Sequence, residues 1–243
     1  MVHDRQRDVD IFPRAPTREQ WAAMSREERE RVVESLPAEV TWEEMPMSEG
    51  DLHTEAKSRA VDALRGYFKA PRRRAYVSAE LPIYYPGERR FAPDLLVVLD
   101  VEPHLRGKWV VSHEGKGLDW VMEVHVGGDR KKAAEDNVRR YARLGILEYF
   151  IYDRARARLE AYRLPSPDAR EYVRMEPKQG RYFSEVLELQ LQLEGARLRF
   201  WAGNALLLET EEMTDRLREM LSREQRRLAE LQDERERLEA RGK

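Results

Sequence analysis

The chain has 243 residues, 41% of them hydrophobic and 37% charged, with a formal net charge of -2. That length fits one moderate domain with an appendage, and the near-balanced charge excludes a uniformly basic nucleic-acid binder, so any such surface must be local. Cysteine is absent, which excludes disulfide frameworks and thiolate zinc sites and suits a reducing cytoplasm. No run approaches the ~20 apolar residues that a membrane span needs, and the polar opening residues lack a signal-peptide core, so a soluble cytoplasmic protein with no membrane partner is expected.

In chain order, residues 1–16 read as a loose polar tail broken by Pro13 and Pro16. Thr17 with Gln20 and Ser25 with Glu28 each fit a capping box, so residues 17–36 are expected to form one or two short helices. Residues 41–50 read as irregular. Residues 52–68 form an amphipathic helix pattern: Leu52, Ala56, Ala60, Ala63, Leu64 and Phe68 make the apolar stripe, with Lys57, Arg59, Asp62 and Arg65 outside it. Pro71-Arg72-Arg73-Arg74 breaks that pattern. Residues 75–85 and 90–99 read as two strands joined by a Pro86-Gly87-Glu88 turn, the second ending in an apolar run suited to a central strand.

A long charged connection over residues 100–117 leads to a strand at 118–126 and a Gly127-Gly128-Asp129 turn. A helix at 130–144 follows, with Ala134, Val138, Tyr141 and Ala142 on its inner face and Gly145 as its C-terminal cap. Strands are expected at 148–153, 159–164 and 172–175, and a hairpin of 189–193 with 197–201 turns at Glu194-Gly195. From residue 211 the composition shifts to Glu, Arg, Leu and Gln. Leu217, Leu221, Leu228, Leu231 and Leu238 follow alternating spacings of four and three, a heptad seam interrupted at Glu224 and Arg235. A single helix of this kind is marginal alone, so it is expected to pair with a second copy or fold back on the N-terminal helices. The whole reads as a mixed α/β chain: residues 1–40 as tail and short helices, 41–210 as the α/β domain, and 211–243 as a coiled-coil helix that makes a homodimer.

Two carboxylates carry the chemistry. Asp94 and Glu123 each end a strand-like stretch, and neighbouring strands lie ~4.8 Å apart, so the pair converges if those strands are neighbours. Carboxylate oxygens suit Mg²⁺ or Mn²⁺, which polarise a phosphoryl oxygen and acidify a water. His125, two residues past Glu123, shares its strand face and can act as base or ligand. His53 at a helix start and Glu80 opposite Asp94 are further polar candidates. Arg72, Arg73, Arg74, Arg130, Lys132, Arg139, Arg140 and Arg143 are candidate phosphate contacts, which supply affinity without sequence readout. Nothing in the sequence encodes base-edge readout.

Ala92-Pro93-Asp94-Leu-Leu-Val-Val followed by Glu123-Val124-His125 resembles the Pro-Asp…(Asp/Glu)-x-Lys signature of the restriction-endonuclease-like superfamily. Together with His53, the Tyr141-Ala-Arg-Leu-Gly-Ile-Leu-Glu148-Tyr-Phe-Ile-Tyr-Asp153 block and Tyr182–Leu189, it resembles the Uma2 family across roughly residues 41–243. The resemblance implies a mixed sheet flanked by helices and a Mg²⁺- or Mn²⁺-dependent nuclease acting on nucleic acid, with DNA the expected substrate and Asp94 and Glu123 as metal ligands. It also exposes a departure. The superfamily lysine two residues after the Glu is His125 here; Uma2 proteins commonly carry instead a Ser at the position of Val126 and a helix lysine at the position of Asn137. Lys131, in the first turn of that helix, and His125 are the candidates for the missing role. Two other readings stay open: a catalytically silent module that binds nucleic acid or protein, and a coiled-coil adaptor with no polar cleft at Asp94.

Overall fold

The computed structural model describes residues 12–39, 50–69, 73–127 and 131–241. Residues 1–11, the expected irregular stretch up to residue 49, Pro71-Arg72, the Gly128-Asp129-Arg130 turn and the Lys131 side chain lie outside the described residues.

Both capping boxes form. Helix α1 (Arg18–Ala23) starts at Thr17, whose hydroxyl accepts from the Gln20 N–H while the Gln20 side chain accepts from the Thr17 N–H. Helix α2 (Arg26–Ser35) repeats this with Ser25 and Glu28. The short tail before them is docked rather than loose over its described part. Arg14 bridges to Arg89, Ala15 to Pro86, and the Arg89 guanidinium lies 3.1 Å from the Phe12 ring centre. Ala15, Leu36 and Val33 pack on Tyr84 and Val110, so apolar contact fixes this segment to the domain.

Helix α3 (Gly50–Lys69) buries Ala56, Ala60 and Leu64, as its stripe predicts, and Val61 beside them, whereas Leu52 of the expected stripe is exposed. It also buries His53 and Lys57. Lys57 therefore lies on the inner face, a correction to its placement outside the stripe.

The expected hairpin is present in register but interrupted. Strand β1 (Ala75–Ser78) pairs antiparallel with β3 (Leu95–Leu99), from Ala75 opposite Leu99 to Ser78 opposite Leu96. The same register continues to a bridge between Ile83 and Phe91, and the turn carries Gly87 at φ +71. Pro82 and Pro93 lack ladder donors, and Glu80 turns to φ +52, so regular pairing lapses between these points. Strand β2 (Ile83–Tyr84) instead pairs in parallel with β4 (Trp109–Val110), a strand inside the long charged connection. Trp109 is fully buried there, and one helical turn, α4 (Val111–Glu114), follows.

Strand β5 (Trp120–His125) runs antiparallel to β3 and parallel to β6 (Glu148–Asp153), with helix α5 (Lys131–Leu144) as the crossover. Gly145 at φ +78 ends α5, and the Gly145 and Ile146 N–H groups return to the Ala142 and Tyr141 carbonyls. Strands β7 (Arg158–Arg163) and β8 (Val173–Arg174) complete a six-stranded mixed sheet in the order β1-β3-β5-β6-β7-β8. One face, with Val97, Met122, Val124 and Phe150, packs on α3; the other, with Leu96, Val98, Val121 and Tyr149, packs on α5. A second sheet holds β9 (Arg181–Ser184), the expected hairpin β10 (Leu189–Glu194) and β11 (Arg197–Ala202), and β12 (Ala205–Leu206). Its Leu189, Leu191, Leu198 and Phe200 join the α3 side of the core. The fold is thus mixed α/β, as expected, and ends in helix α6 (Thr210–Arg241). No helix is long and apolar enough to cross a membrane among the described residues.

Candidate active site

The antiparallel register that sets Leu95 opposite Met122 puts the next pair, Asp94 and Glu123, directly across from each other. Pro93 precedes Asp94 and offers no N–H, while its carbonyl accepts from the Glu80 N–H at 3.0 Å. One Asp94 oxygen accepts from the Val124 N–H at 2.7 Å; the other lies 3.1 Å from His53 Nε2 on α3. The Tyr141 hydroxyl on α5 donates to Glu123 Oε1 at 2.6 Å. Tyr141 is itself wedged between Phe91 and Tyr149, with ring centres 5.4 and 5.0 Å away.

Two carboxylates so close cannot both ionise freely. Burial pushes both up. For Asp94, the contact with His53, the Val124 N–H and the charge of Lys57 outweigh burial and hold it below the ordinary value. For Glu123, burial and then repulsion from Asp94 drive it well above the ordinary value, against the Tyr141 hydrogen bond. Of the two, Asp94 ionises more readily and Glu123 holds its proton more tightly.

His125 stands on the same strand face as Glu123, opposite Asp153 in the β5–β6 register. Burial depresses its pKa against the pull of Asp94 and Asp153, so the imidazole is neutral near pH 7. It opens on a cleft of about 450 Å³ that is also lined by Asp153, Arg156, Arg158, Glu160 and Tyr162. Asp153 is fixed by Arg156, whose N–H and guanidinium donate at 3.0 and 2.9 Å.

The other expected residues separate into groups. Asn137, at the position of the family's helix lysine, sits beside the Tyr149 hydroxyl. Lys132 and Arg139 are exposed on α5, with Arg139 paired to Asp136 at 2.5 Å. Arg73 forms a bidentate pair with Asp100, and Arg74 pairs with Glu102. These two arginines lie at the end of β3 away from Asp94, roughly 20 Å along the strand. Glu80 does fall in register opposite Asp94, but its carboxylate pairs with Lys57 Nζ. The Glu148 carboxylate, in the most specific stretch of the sequence, is structural: it binds Ser184, the Glu185 N–H and Arg163, tying β6 to β9.

Lys57 is the residue that sequence reasoning missed. It lies one helical turn beyond His53 and two turns before Leu64, so the spacing carried the signal. Among the described residues no three His, Asp or Glu side chains are grouped as a metal-binding cluster. The Asp94–Glu123 pair nonetheless suits a hard divalent ion. It offers oxygen donors, a dication would let both carboxylates ionise, and Mg²⁺ normally keeps most of its shell as water.

Comparison with curated proteins finds no match. Among solved structures, the chain is similar to a "putative nuclease belonging to DUF820" from Anabaena variabilis, with 19% identity, a TM-score of 0.48, and coverage of 62% of this chain and 82% of that one. Residues 14–199 match the family Uma2, described as "Putative restriction endonuclease". The match starts earlier than the expected residue 41, taking in α1 and α2, and stops before α6. Spanning well over half of the sequence, it establishes that the chain belongs to the Uma2 family of the restriction-endonuclease type.

Proposed function

We propose that the protein is a divalent-metal-dependent endonuclease that hydrolyses phosphodiester bonds in DNA. The observation that carries this reading is the direct cross-strand apposition of Asp94 and Glu123, with neutral His125 two residues further on. The ion, when bound by Asp94 and Glu123, supplies Lewis acidity for a phosphoryl oxygen and for the attacking water. His125 would take the proton of that water, with Lys131 the second candidate for assisting it. Arg156 and Arg158 line the cleft at His125, and the exposed Lys132 and Arg139 on α5 are further candidate phosphate contacts. Arg73 and Arg74 would meet DNA only at a distance from the reacting bond. A cytoplasmic setting belongs to this reading and is supported by the cysteine-free sequence.

Supercoiled plasmid incubated with the protein and Mg²⁺ or Mn²⁺ should be nicked, and chelator should stop it. Intact plasmid under all these conditions would overturn the reading. The rival, a silent module that binds nucleic acid, is favoured by uncharged Asn137 at the family lysine position and predicts DNA affinity without nicking.

The three domains are part of the same proposal, as is dimerisation by α6. This helix is about 48 Å long at ~1.5 Å per residue, and Leu217, Leu221, Leu228, Leu231 and Leu238 stay 52–63% exposed along it. Pairing two such stripes buries them. In sedimentation, the full chain is expected at twice the protomer mass and a chain ending at Thr210 at the protomer mass. Equal protomer masses for both would remove the dimer.

A further inference from the structure

Lys57 is only 7% exposed, in a stripe whose other members are mostly small or apolar. Burying an ammonium is unfavourable unless a partner compensates it, and such lysines are seldom placed where an alanine or leucine would serve. Its partner is Glu80, reached by the Lys57 Nζ. Glu80 is held at φ +52, a conformation a side chain-bearing residue rarely adopts, and its N–H is bound to the Pro93 carbonyl next to Asp94. Lys57 is also close enough to lower the pKa of Asp94 by its charge. The N-terminal half of α3 is fixed over the centre by Arg154, which donates to the Leu52 carbonyl at 2.7 Å and pairs with Glu55 at 2.8 Å.

Two features separate this lysine from an ordinary structural ion pair. The Glu80 side chain is 46% exposed, so it can leave Lys57 without opening the core. The two positions where a cation was expected from sequence hold His125 and Asn137, leaving Lys57 as the described lysine beside the carboxylates.

We infer that Lys57 is a phosphate-binding catalytic residue. In the resting protein its ammonium pairs with Glu80; when a nucleic-acid backbone enters, it exchanges Glu80 for a non-bridging oxygen of the scissile phosphodiester beside Asp94. This rests on the endonuclease reading and deepens it by naming the cation that faces the substrate. The charge-assisted contact grows stronger as negative charge accumulates on the phosphoryl oxygens, so its largest effect falls on the chemical step.

The test compares Lys57→Gln, Lys57→Arg, Asp94→Asn and the double variant Lys57→Gln/Glu80→Gln, which leaves no buried charge unpaired. Nicking of supercoiled plasmid is read in Mg²⁺, and affinity for a short duplex in Ca²⁺. Lys57→Gln and the double variant are expected to cut roughly 100-fold more slowly or worse and to bind the duplex more weakly, with Lys57→Arg recovering part of both. The double variant keeps the test available if Lys57→Gln alone fails to fold. Near wild-type cutting by the folded double variant, while Asp94→Asn is inactive, would overturn the role of Lys57 and leave the endonuclease reading intact. A wild type that cuts nothing, or an Asp94→Asn variant that cuts normally, would overturn both.

Discussion

Asp94→Ala is expected to slow Mg²⁺-dependent nicking roughly 1000-fold, with Glu123→Ala close behind. Asp94 is the more readily ionised carboxyl of the pair, because His53, the Val124 N–H and Lys57 together outweigh its burial. Removing it takes away the ionised donor and leaves the Val124 N–H without its acceptor. That orphaned donor should cost about 1–3 kcal/mol of stability, so melting must be measured alongside cleavage. Glu123→Ala removes the second oxygen donor and leaves the buried Tyr141 hydroxyl without its acceptor, so a destabilisation of the same order is expected. Melting of both variants separates a lost metal donor from a collapsed fold. Cleavage that survives both substitutions at wild-type rate would eliminate the assigned site.

Glu209→Ala should give the largest loss of stability. Glu209 is 8% exposed and is the shared acceptor for Arg59 on α3 and for Arg197 and Arg199 on β11. Without it Arg59 keeps Glu55, and Arg197 and Arg199 keep Glu212, with only Arg199 buried. The loss therefore falls at the lower end for a broken buried pair, about 3 kcal/mol, which for a chain of this size lowers the melting temperature by roughly 6–12 °C. Burial raises the Glu209 pKa, but the arginines more than offset it and the net direction is down. A depressed carboxylate contributes stability above its unfolded pKa and loses it as pH falls through the folded value. The gap between wild type and Glu209→Ala should therefore be full near pH 7 and shrink in acid below about pH 4. Equal melting of the two proteins at pH 7 would contradict this.

The cluster also has a positional consequence. Arg59 lies two residues from Lys57, so the root of α6 and the second sheet hold the helix that delivers both His53 and Lys57. Glu209→Ala should therefore weaken cleavage as well as stability, although no part of it touches the carboxylates.

Much of this was legible in the sequence because the signals were periodic or local. The capping boxes at Thr17 and Ser25, the α5 stripe with Gly145 as its stop, and the Glu194-Gly195 turn each depend on neighbouring residues. The Asp94–Glu123 pairing was readable because both follow from strand ends, although only the β3–β5 register made them opposite. Three features were hidden by long-range context. Trp109–Val110 is too short to show strand periodicity, and its partner Ile83–Tyr84 is distant in sequence. The break in the hairpin comes from the prolines and the left-handed Glu80 rather than from any change of hydropathy. Lys57 falls outside a stripe drawn from apolar residues because a charged residue normally faces water; its buried position depends on Glu80, which is supplied by a different element. The separation of Arg73 and Arg74 from the carboxylates likewise follows from strand direction, which composition does not encode.

Calorimetric titration of Mn²⁺ into the wild type and the Asp94→Asn variant tests whether Asp94 and Glu123 form a divalent-ion centre. One saturable site per protomer is expected in the wild type and none in Asp94→Asn at the same pH. Binding of equal strength and stoichiometry in the two proteins would contradict it.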